Sequence, residues 1–433
     1  MKTIGIVAEY NPFHLGHALQ IRESRRRVQS DGEETAVIAV MSGDFVQRGE
    51  AAVFSKYARA EAACRSGADL VVELPLPWAL ASAEGFARGA AVMLAELGAE
   101  VLSFGCETEE CPAGSEVPER KKTDPDAETA GTQARLRELE QTAELLISPG
   151  FTDAVLQRLK TEPEQSFAAA RQACAEIKLG KALPFLQQPN SILALEYLKA
   201  IRELRLPLVP MVIPRRGAGH DERGENPIPS ASELRERLRG GRGTEGFVPS
   251  EAEEIFRREE REGRAVLDAG EQGRLLMARL RWLKEEDFRN LPDAGDGLGN
   301  RLYAAVRSAV CFDDILRAAV TRRYPLSRIR RLCLCAALGI PAGAAAGKPP
   351  FARILALNER GRSILHDAQE RRAHSECGIH LLSKPAHVRE LDGGAQAIFE
   401  MGAQAHDFYT LLYPEEGQRL CGEDWRRGPA ICS

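Results

Sequence analysis

The stretch IGIVAEYNPFHLGHALQI, from Ile4 to Ile21, decides the fold of this chain. Ile4 to Ala8 is an apolar run of strand type. Asn11 and Pro12 are turn residues, and His14-Leu15-Gly16-His17 opens a segment of helical character. A strand that feeds a helix through a tight turn gathers backbone N–H groups and the positive end of a helix dipole at one point. Two histidines three residues apart at a helix start can face that point together, and Gly16 lets a ligand come close to the backbone. This is apparatus for holding a phosphate while charge builds on it. Splitting ATP between its α- and β-phosphates places negative charge on the α-phosphate oxygens and on departing pyrophosphate. His14 and His17 can donate hydrogen bonds to those oxygens, and donors aimed in advance are usually the largest catalytic contribution. Alone, H-x-G-H describes two surface histidines equally well. Its place behind an apolar strand and an Asn-Pro turn makes it specific.

Working outward, the first half alternates strand-like runs with helix-like stretches. Ile4–Ala8, Ala36–Met41, Leu70–Leu74, Val101–Phe104 and Leu208–Ile213 read as buried strands. Leu15–Arg27, Lys56–Ser66, Glu84–Leu97 and Ala134–Ile147 read as helices. The alternation predicts an α/β fold, Rossmann-like, with a parallel sheet covered on both faces. Ligands in such folds sit beyond the carboxyl ends of the strands, where the motifs of this chain cluster. Glu107–Gly131 mixes Pro, Gly, Ser, Thr and both charge signs, and reads as a flexible insertion. Strand-like runs nearly vanish after Gly240. The expected organisation is a nucleotide-binding catalytic domain over residues 1–245 and a mainly α-helical domain over 246–433. Gly339–Lys348 is a small-residue loop without the Lys-Ser/Thr pair of a phosphate loop.

At 433 residues the chain is long enough for more than one domain. Its 44% hydrophobic and 28% charged content is that of a soluble globular protein. A net charge of −5 argues against a generally basic nucleic-acid binder, although a local patch could still serve. There is no apolar run of membrane-spanning length and no secretory signal. The 10 cysteines show no paired spacing, as expected of reduced thiols in the cytoplasm.

Five further segments carry chemistry. MSGDFVQRGEAA, Met41–Ala52, is a polar loop at the end of the second strand. Its Asp44, Gln47 and Arg48, with Lys56 downstream, suit an acidic substrate or pyrophosphate, against the alternative of a solvated loop. SFGCE ends the fourth strand, and Gly105 would let adenosine pack on the backbone; a strand-ending glycine needs no ligand. In QPNSILALEYLKAI, Asn190 serves equally as a helix N-cap or as a reader of adenine or ribose. Arg215 and Arg216 precede a Gly-rich turn, and Ser230, Ser232 and Arg235 open a helix. Hydroxyls, amides and an arginine there suit a triphosphate tail, or only a capped helix. Finally, Arg317, Arg322, Arg323, Arg328, Arg330 and Arg331 fall in a stretch where no Asp or Glu occurs between Ile315 and Asn358. Such a stripe, with Tyr324, suits RNA phosphates and unstacked bases; most basic runs are merely solvated. His374, Cys377 and His380 have ligand-like spacing without an obvious fourth ligand, and Cys333 and Cys335 lie in an apolar stretch. Chance or core packing accounts for them better than a metal.

Together these segments resemble the HxGH nucleotidyltransferase superfamily, and within it the bacterial tRNA(Met) cytidine acetate ligases. That family carries AEYNPFHxGH, MxGxFVQRGEPA, GADLVxELP, PNNILxxEYL, RxGAG and a serine/arginine helix start. Close counterparts of all of them follow in order over about residues 3–240, and RRYPLSRIRR resembles the family's helical half. Generic adenylyltransferases read GTFDPxHxGH. Ala8, Glu9 and Asn11 depart from that pattern and argue against coenzyme A or nicotinamide enzymes. Ser191 stands where the ligases usually have Asn, and His220 where they have Tyr.

The resemblance implies a two-step reaction. ATP and acetate give acetyl-adenylate and pyrophosphate, and the acetyl group then passes to the wobble cytidine of elongator tRNA(Met). It implies ATP contacts from Val7, Ala8, Glu9, Tyr10, Asn11, Pro12, Phe13, His14, Leu15, Gly16, His17, Ala18, Leu19 and Gln20, and from Gly105, Asn190 and Arg215, with Arg216 as a neighbour. Mg2+ is an expected companion of ATP, with ligands unassigned. The expected partners are acetate and tRNA, with no membrane and no DNA. The alternatives are a small-molecule adenylyltransferase of the same superfamily with no RNA substrate, and a nucleotide-binding RNA-binding protein without catalysis.

Overall fold

The computed structural model describes residues 1–29, 33–106, 125–214, 229–295, 297–373 and 378–433. Arg215, Arg216, His220, His374 and Cys377 lie outside the described residues, as do residues 107–124 of the expected insertion.

The central strand is β1 (Lys2–Ala8). Parallel neighbours are β2 (Thr35–Ser42) on one side and β6 (Val101–Cys106) on the other. The hairpin strands β3 (Phe45–Val46) and β4 (Glu50–Ala51) form a separate small ribbon. Beyond β2 lies β5 (Leu70–Leu74), and beyond β6 lies β7 (Val209–Pro214), both parallel. The direction of travel across the sheet therefore reverses at β1, which opens a crevice at the carboxyl ends of β1 and β6. The HLGH segment leaves β1 at that crevice.

Burial explains the continuous apolar reading of these strands. Every residue of β2 is buried. Ala36, Ile38 and Val40 join one core with Phe86, Leu94 and Leu102, while Val37, Ala39 and Met41 join another with Ile4, Ile6 and Ile21. Alternate residues thus serve opposite faces of a sheet covered on both sides.

One expectation is extended and one corrected. The C-terminal half is mainly helical, as expected, but it also adds strands to the main sheet. β8 (Phe351–Leu357) enters the main sheet antiparallel to β5, and β9 (His380–Leu382) and β10 (Ala430–Ile431) pair with β8. All seven residues of β8 are buried, so FARILAL has no period by which to tell strand from buried helix. Residues 125–131, expected within a loop, begin the helix Pro125–Ile147. Its apolar rhythm starts only with Leu136, Leu139, Ala143 and Leu146, which left the first turns unmarked. Among the helices of the C-terminal half, Ala269–Trp282, Leu298–Ser308 and Leu326–Leu338 share a core with Phe45 of the hairpin.

Candidate active site

The turn after β1 is built around its side chains. Tyr10 takes a left-handed backbone (φ 47°). Asn11 is buried, and its Oδ1 accepts the Val53 amide at 2.9 Å. His14 is the N-cap of the helix Leu15–Val28. Its Nδ1 accepts the Gly16 amide at 3.0 Å, while His17 Nδ1 accepts the His14 amide at 3.2 Å. The two rings lie 3.8 Å apart, and Tyr10 meets His17 edge-on at 4.9 Å. A neutral imidazole that accepts at Nδ1 carries its proton on Nε2. The reciprocal cap therefore sets both tautomers and makes each Nε2 a donor.

This geometry refines one expectation. The first helical amides are already taken: Leu15 donates to Phe247 O, Gly16 to His14 Nδ1 and His17 to His14 O. What the helix start offers an anion is its dipole and two imidazole donors, rather than a cradle of open amides.

Arg235 ties the second motif group to the first. Its Nη1 donates to Asn11 O at 2.9 Å, and its Nη2 to Ser232 Oγ at 3.0 Å. Ser230 caps the helix Ala231–Arg239 by accepting the Glu233 amide at 3.2 Å, so its hydroxyl is engaged in the fold. The Gln47 amide donates to Glu9 Oε1 at 3.0 Å. Burial raises the Glu9 carboxyl above its usual range, opposed by Arg48, Arg235 and Arg59. Arg48 is exposed. With Ser232, Arg235, Arg239, Glu50 and Arg330 it lines a cavity of about 390 Å³ between the helices Ala231–Arg239 and Leu326–Leu338.

Gly105 sits near the end of β6, paired with Ile213. Gln20 reaches the same strand, its amide nitrogen 3.4 Å from Ser103 O. Asn190 is not the N-cap of its helix. That position is Gln188, and Asn190 lies in the first turn of Pro189–Glu203. Ser191 is fully buried, its Oγ 3.3 Å from Cys106 Sγ and 3.1 Å from Gln188 Oε1.

Asp44 and Lys56, expected at a substrate, are enclosed instead. Lys56 is 1% exposed, with Nζ at 2.9 Å from Glu73 and 2.7 Å from Asp424. Asp44 accepts the Lys56 amide at 2.7 Å and holds His406 at 2.8 Å. Burial opposes the charge on Lys56, but Asp424 and Glu73 outweigh it and raise its pKa. Sequence reading missed the partners Tyr57, Glu73, Arg353, His406, Glu423 and Asp424 entirely, since most lie hundreds of positions away. It also missed Arg59. This buried side chain donates to the carbonyls of Glu9, Ser42, Gly43 and Phe54 and binds the ends of β1 and β2 together. Arg59 beside Glu61 in the interior of the alanine-rich helix Lys56–Arg65 was the available signal.

The arginine stripe is not uniform. Acids from outside the stretch balance two members: Asp314 pairs with Arg317 and Glu50 with Arg330. Burial lowers the pKa of Arg331. Arg328 donates to Asp293 O at 2.6 Å, and Arg323 and Arg328 lie over the Tyr324 ring. Arg322 is exposed. Cys333 and Cys335 are buried in the helical core, and His380 lies against Arg372 at 2.8 Å. Among the described residues no group of three or more His, Cys, Asp or Glu side chains could hold a metal ion.

The HIGH Nucleotidyl Transferase family matches residues 1–424. The chain belongs to this family. It is 30% identical to the tRNA(Met) cytidine acetate ligase of Syntrophomonas wolfei, with 99% of each chain covered. Identity to the ligase of the same name from Syntrophotalea carbinolica is 36%, over 86% of this chain and 83% of the relative. Among solved structures, Thermotoga maritima TmcAL bound with alpha-thio ATP superposes with a TM-score of 0.84 at 27% identity, covering 100% of this chain and 99% of the other. In this member of the family, His14 and His17 stand on the first strand-to-helix turn, where the sheet reverses direction.

Proposed function

We propose that this HIGH nucleotidyltransferase is a tRNA(Met) cytidine acetate ligase. It joins ATP and acetate into acetyl-adenylate, releases pyrophosphate, and transfers the acetyl group to the amine of the wobble cytidine of elongator tRNA(Met). The observation that carries the reading is the reciprocal His14–His17 cap, which fixes two Nε2 donors side by side where the sheet reverses. Likeness to ligases of that name, over 99% of each chain in one case and 86% of this chain in the other, supports the acceptor.

The chemistry asks for what the site offers. Acetate is ionised at pH 7, so its attack on the α-phosphorus needs no base. It needs in-line placement and neutralisation of charge. His14 and His17 supply donors to the α-phosphate and the departing pyrophosphate. The segment Val7–Gln20, Gly105, Asn190 and Arg215, with Arg216, binds the nucleotide in this reading. Arg48, Gln47 and Arg235, with Ser232, face the substrate side. Asp44, Lys56 and Ser230 act on that side only through the fold. The described residues form no cage for Mg2+. A magnesium ion held through triphosphate oxygens would need few protein ligands, and no step here is routed through it. Residues 1–245 carry adenylation, and the helical part of 246–433 presents Arg322, Arg323 and Arg328 to tRNA. A tRNA substrate implies the cytoplasm.

The test is isotope exchange between pyrophosphate and ATP, with and without acetate, followed by nucleoside analysis of elongator tRNA(Met). Acetate-dependent exchange and acetylcytidine are expected. Exchange that ignores acetate, with unmodified tRNA, would favour a small-molecule adenylyltransferase.

A further inference from the structure

Acyl transfer to cytidine poses a problem that adenylation does not. The cytosine amine is a weak nucleophile with a delocalised lone pair. Once it has attacked a carbonyl it carries positive charge and is itself a good leaving group. Taking its proton commits the adduct to product. Resting on the ligase reading, we propose that Glu9 is the base that takes this proton.

Glu9 lies on the turn that carries His14, immediately after β1. Its Oε1 is fixed by the Gln47 amide at 3.0 Å, and its own carbonyl by Arg59. Among the described residues its Oε2 accepts no hydrogen bond, so one oxygen of a positioned carboxylate is left open. The charged and titratable groups around it are Arg48 from the hairpin, Arg235 from Ala231–Arg239, Arg59 from Lys56–Arg65 and Tyr197 from Pro189–Glu203. Two of these, Arg48 and Arg235, are walls of the 390 Å³ cavity that opens toward the arginine-bearing helix Leu326–Leu338. The carboxylate thus shares its turn with the imidazole pair and is electrostatically coupled to two walls of the cavity. Of the two carboxylates that do line the cavity, Glu50 is bound to Arg330 and Glu236 belongs to the helix Ala231–Arg239 rather than to the histidine-bearing turn. Partial desolvation favours the proton-accepting role, because a base works best when its pKa approaches the working pH.

The step balances without any further reactant. The amine lone pair forms the C–N bond at the acetyl carbon, the bond from that carbon to the AMP oxygen breaks, and AMP leaves with the electron pair. The amine proton moves to Glu9 Oε2 and from there to water.

The experiment is single-turnover transfer from synthetic acetyl-adenylate to tRNA(Met) across pH. Wild-type transfer should rise with pH and level off once Glu9 is ionised. Glu9→Gln should lose about 100-fold or more at the plateau, as loss of a general base does, and should no longer level off. Glu9→Asp should recover part of the rate and keep the levelling. A Glu9→Gln profile lowered by one constant factor, or unchanged, would overturn the proposal. Should Glu9→Gln fail to fold by thermal melting, the Glu9→Asp profile decides: a displaced ionisation supports the proposal, an unmoved one overturns it. A wild-type enzyme that transfers no acetyl group from acetyl-adenylate would instead bring down the ligase reading itself.

Discussion

Glu50 and Arg330 form an ion pair between residues 280 positions apart, joining the QRGEA hairpin to the arginine-bearing helix. Gly49 makes the same seam possible. It has φ +81°, and a Cβ there would stand 2.5 Å from the Arg331 backbone nitrogen. The hairpin and helix therefore meet backbone to backbone at the cavity where nucleotide and RNA chemistry converge in the proposed reaction.

Gly49→Ala should be costly for two reasons: the left-handed backbone disfavours any side chain, and the helix backbone cannot retreat from the added carbon. A loss of about 2 kcal/mol or more in unfolding free energy is expected. Glu50→Gln, by contrast, should cost within about 1 kcal/mol, as partly exposed ion pairs do. Chemical denaturation of the two variants checks the ranking, and a harmless Gly49→Ala would mean that the seam is loose.

The two roles of His14 can be separated. Asparagine is a strong N-cap residue whose Oδ1 can replace Nδ1 as acceptor for the Gly16 amide, but it has no counterpart of the Nε2 donor. His14→Asn should stay near wild-type stability while acetate-dependent exchange falls by roughly 100-fold or more, the scale of losing one oxyanion donor. His14→Ala should lose the same activity and in addition about 1 kcal/mol of stability. Near-normal exchange by His14→Asn would show that the imidazole matters only as a cap.

Replacing Arg322 and Arg323 together by alanine should weaken tRNA binding. It should also flatten the slope of log affinity against log salt by one to two, about 0.7–0.9 for each phosphate no longer neutralised. Arg317→Ala should do less, because Asp314 already engages that guanidinium. Filter binding over a range of salt concentrations distinguishes the two. Equal slopes would return the stripe to a solvated surface.

What could be read from the sequence was local. The β1 turn announces itself because strand, turn, cap and histidines are contiguous, and β1, β2, β5, β6 and β7 are short apolar runs between clear breaks. β8 escaped although β2, equally buried, did not: Arg353, paired with Asp424 and Glu73, interrupts its apolar run. The enclosure of Lys56 and Asp44 escaped for a different reason. Asp424, His406 and Arg353 come from the far end of the chain, and no local pattern tells a buried lysine from one awaiting a substrate. The absence of acids around the arginine stripe was real in sequence but not in space, since Glu50 arrives from the N-terminal half.

His406 offers the sharpest test of that buried network. It is fully buried between Asp44 at 2.8 Å and Glu423 at 2.9 Å. Burial alone would lower its pKa, but the charge and hydrogen bonds of these two carboxylates raise it to about 10. A raised pKa stabilises the fold fully below the unfolded value near 6.5, and the contribution disappears as pH climbs through about 10. Glu423 works in the opposite window. Burial opposes its charge, His406 and Arg427 overcome it, and its pKa falls to about 2, so its contribution is present above 4.5 and lost in acid. His406→Gln should destabilise the protein at pH 7 by roughly 3–5 kcal/mol, the scale of breaking a buried ion pair from one side. The stability difference between wild type and variant should then shrink steadily from pH 7 to pH 10.5. Paired denaturation curves across that range measure it directly, and a difference independent of pH would show that His406 is held neutral.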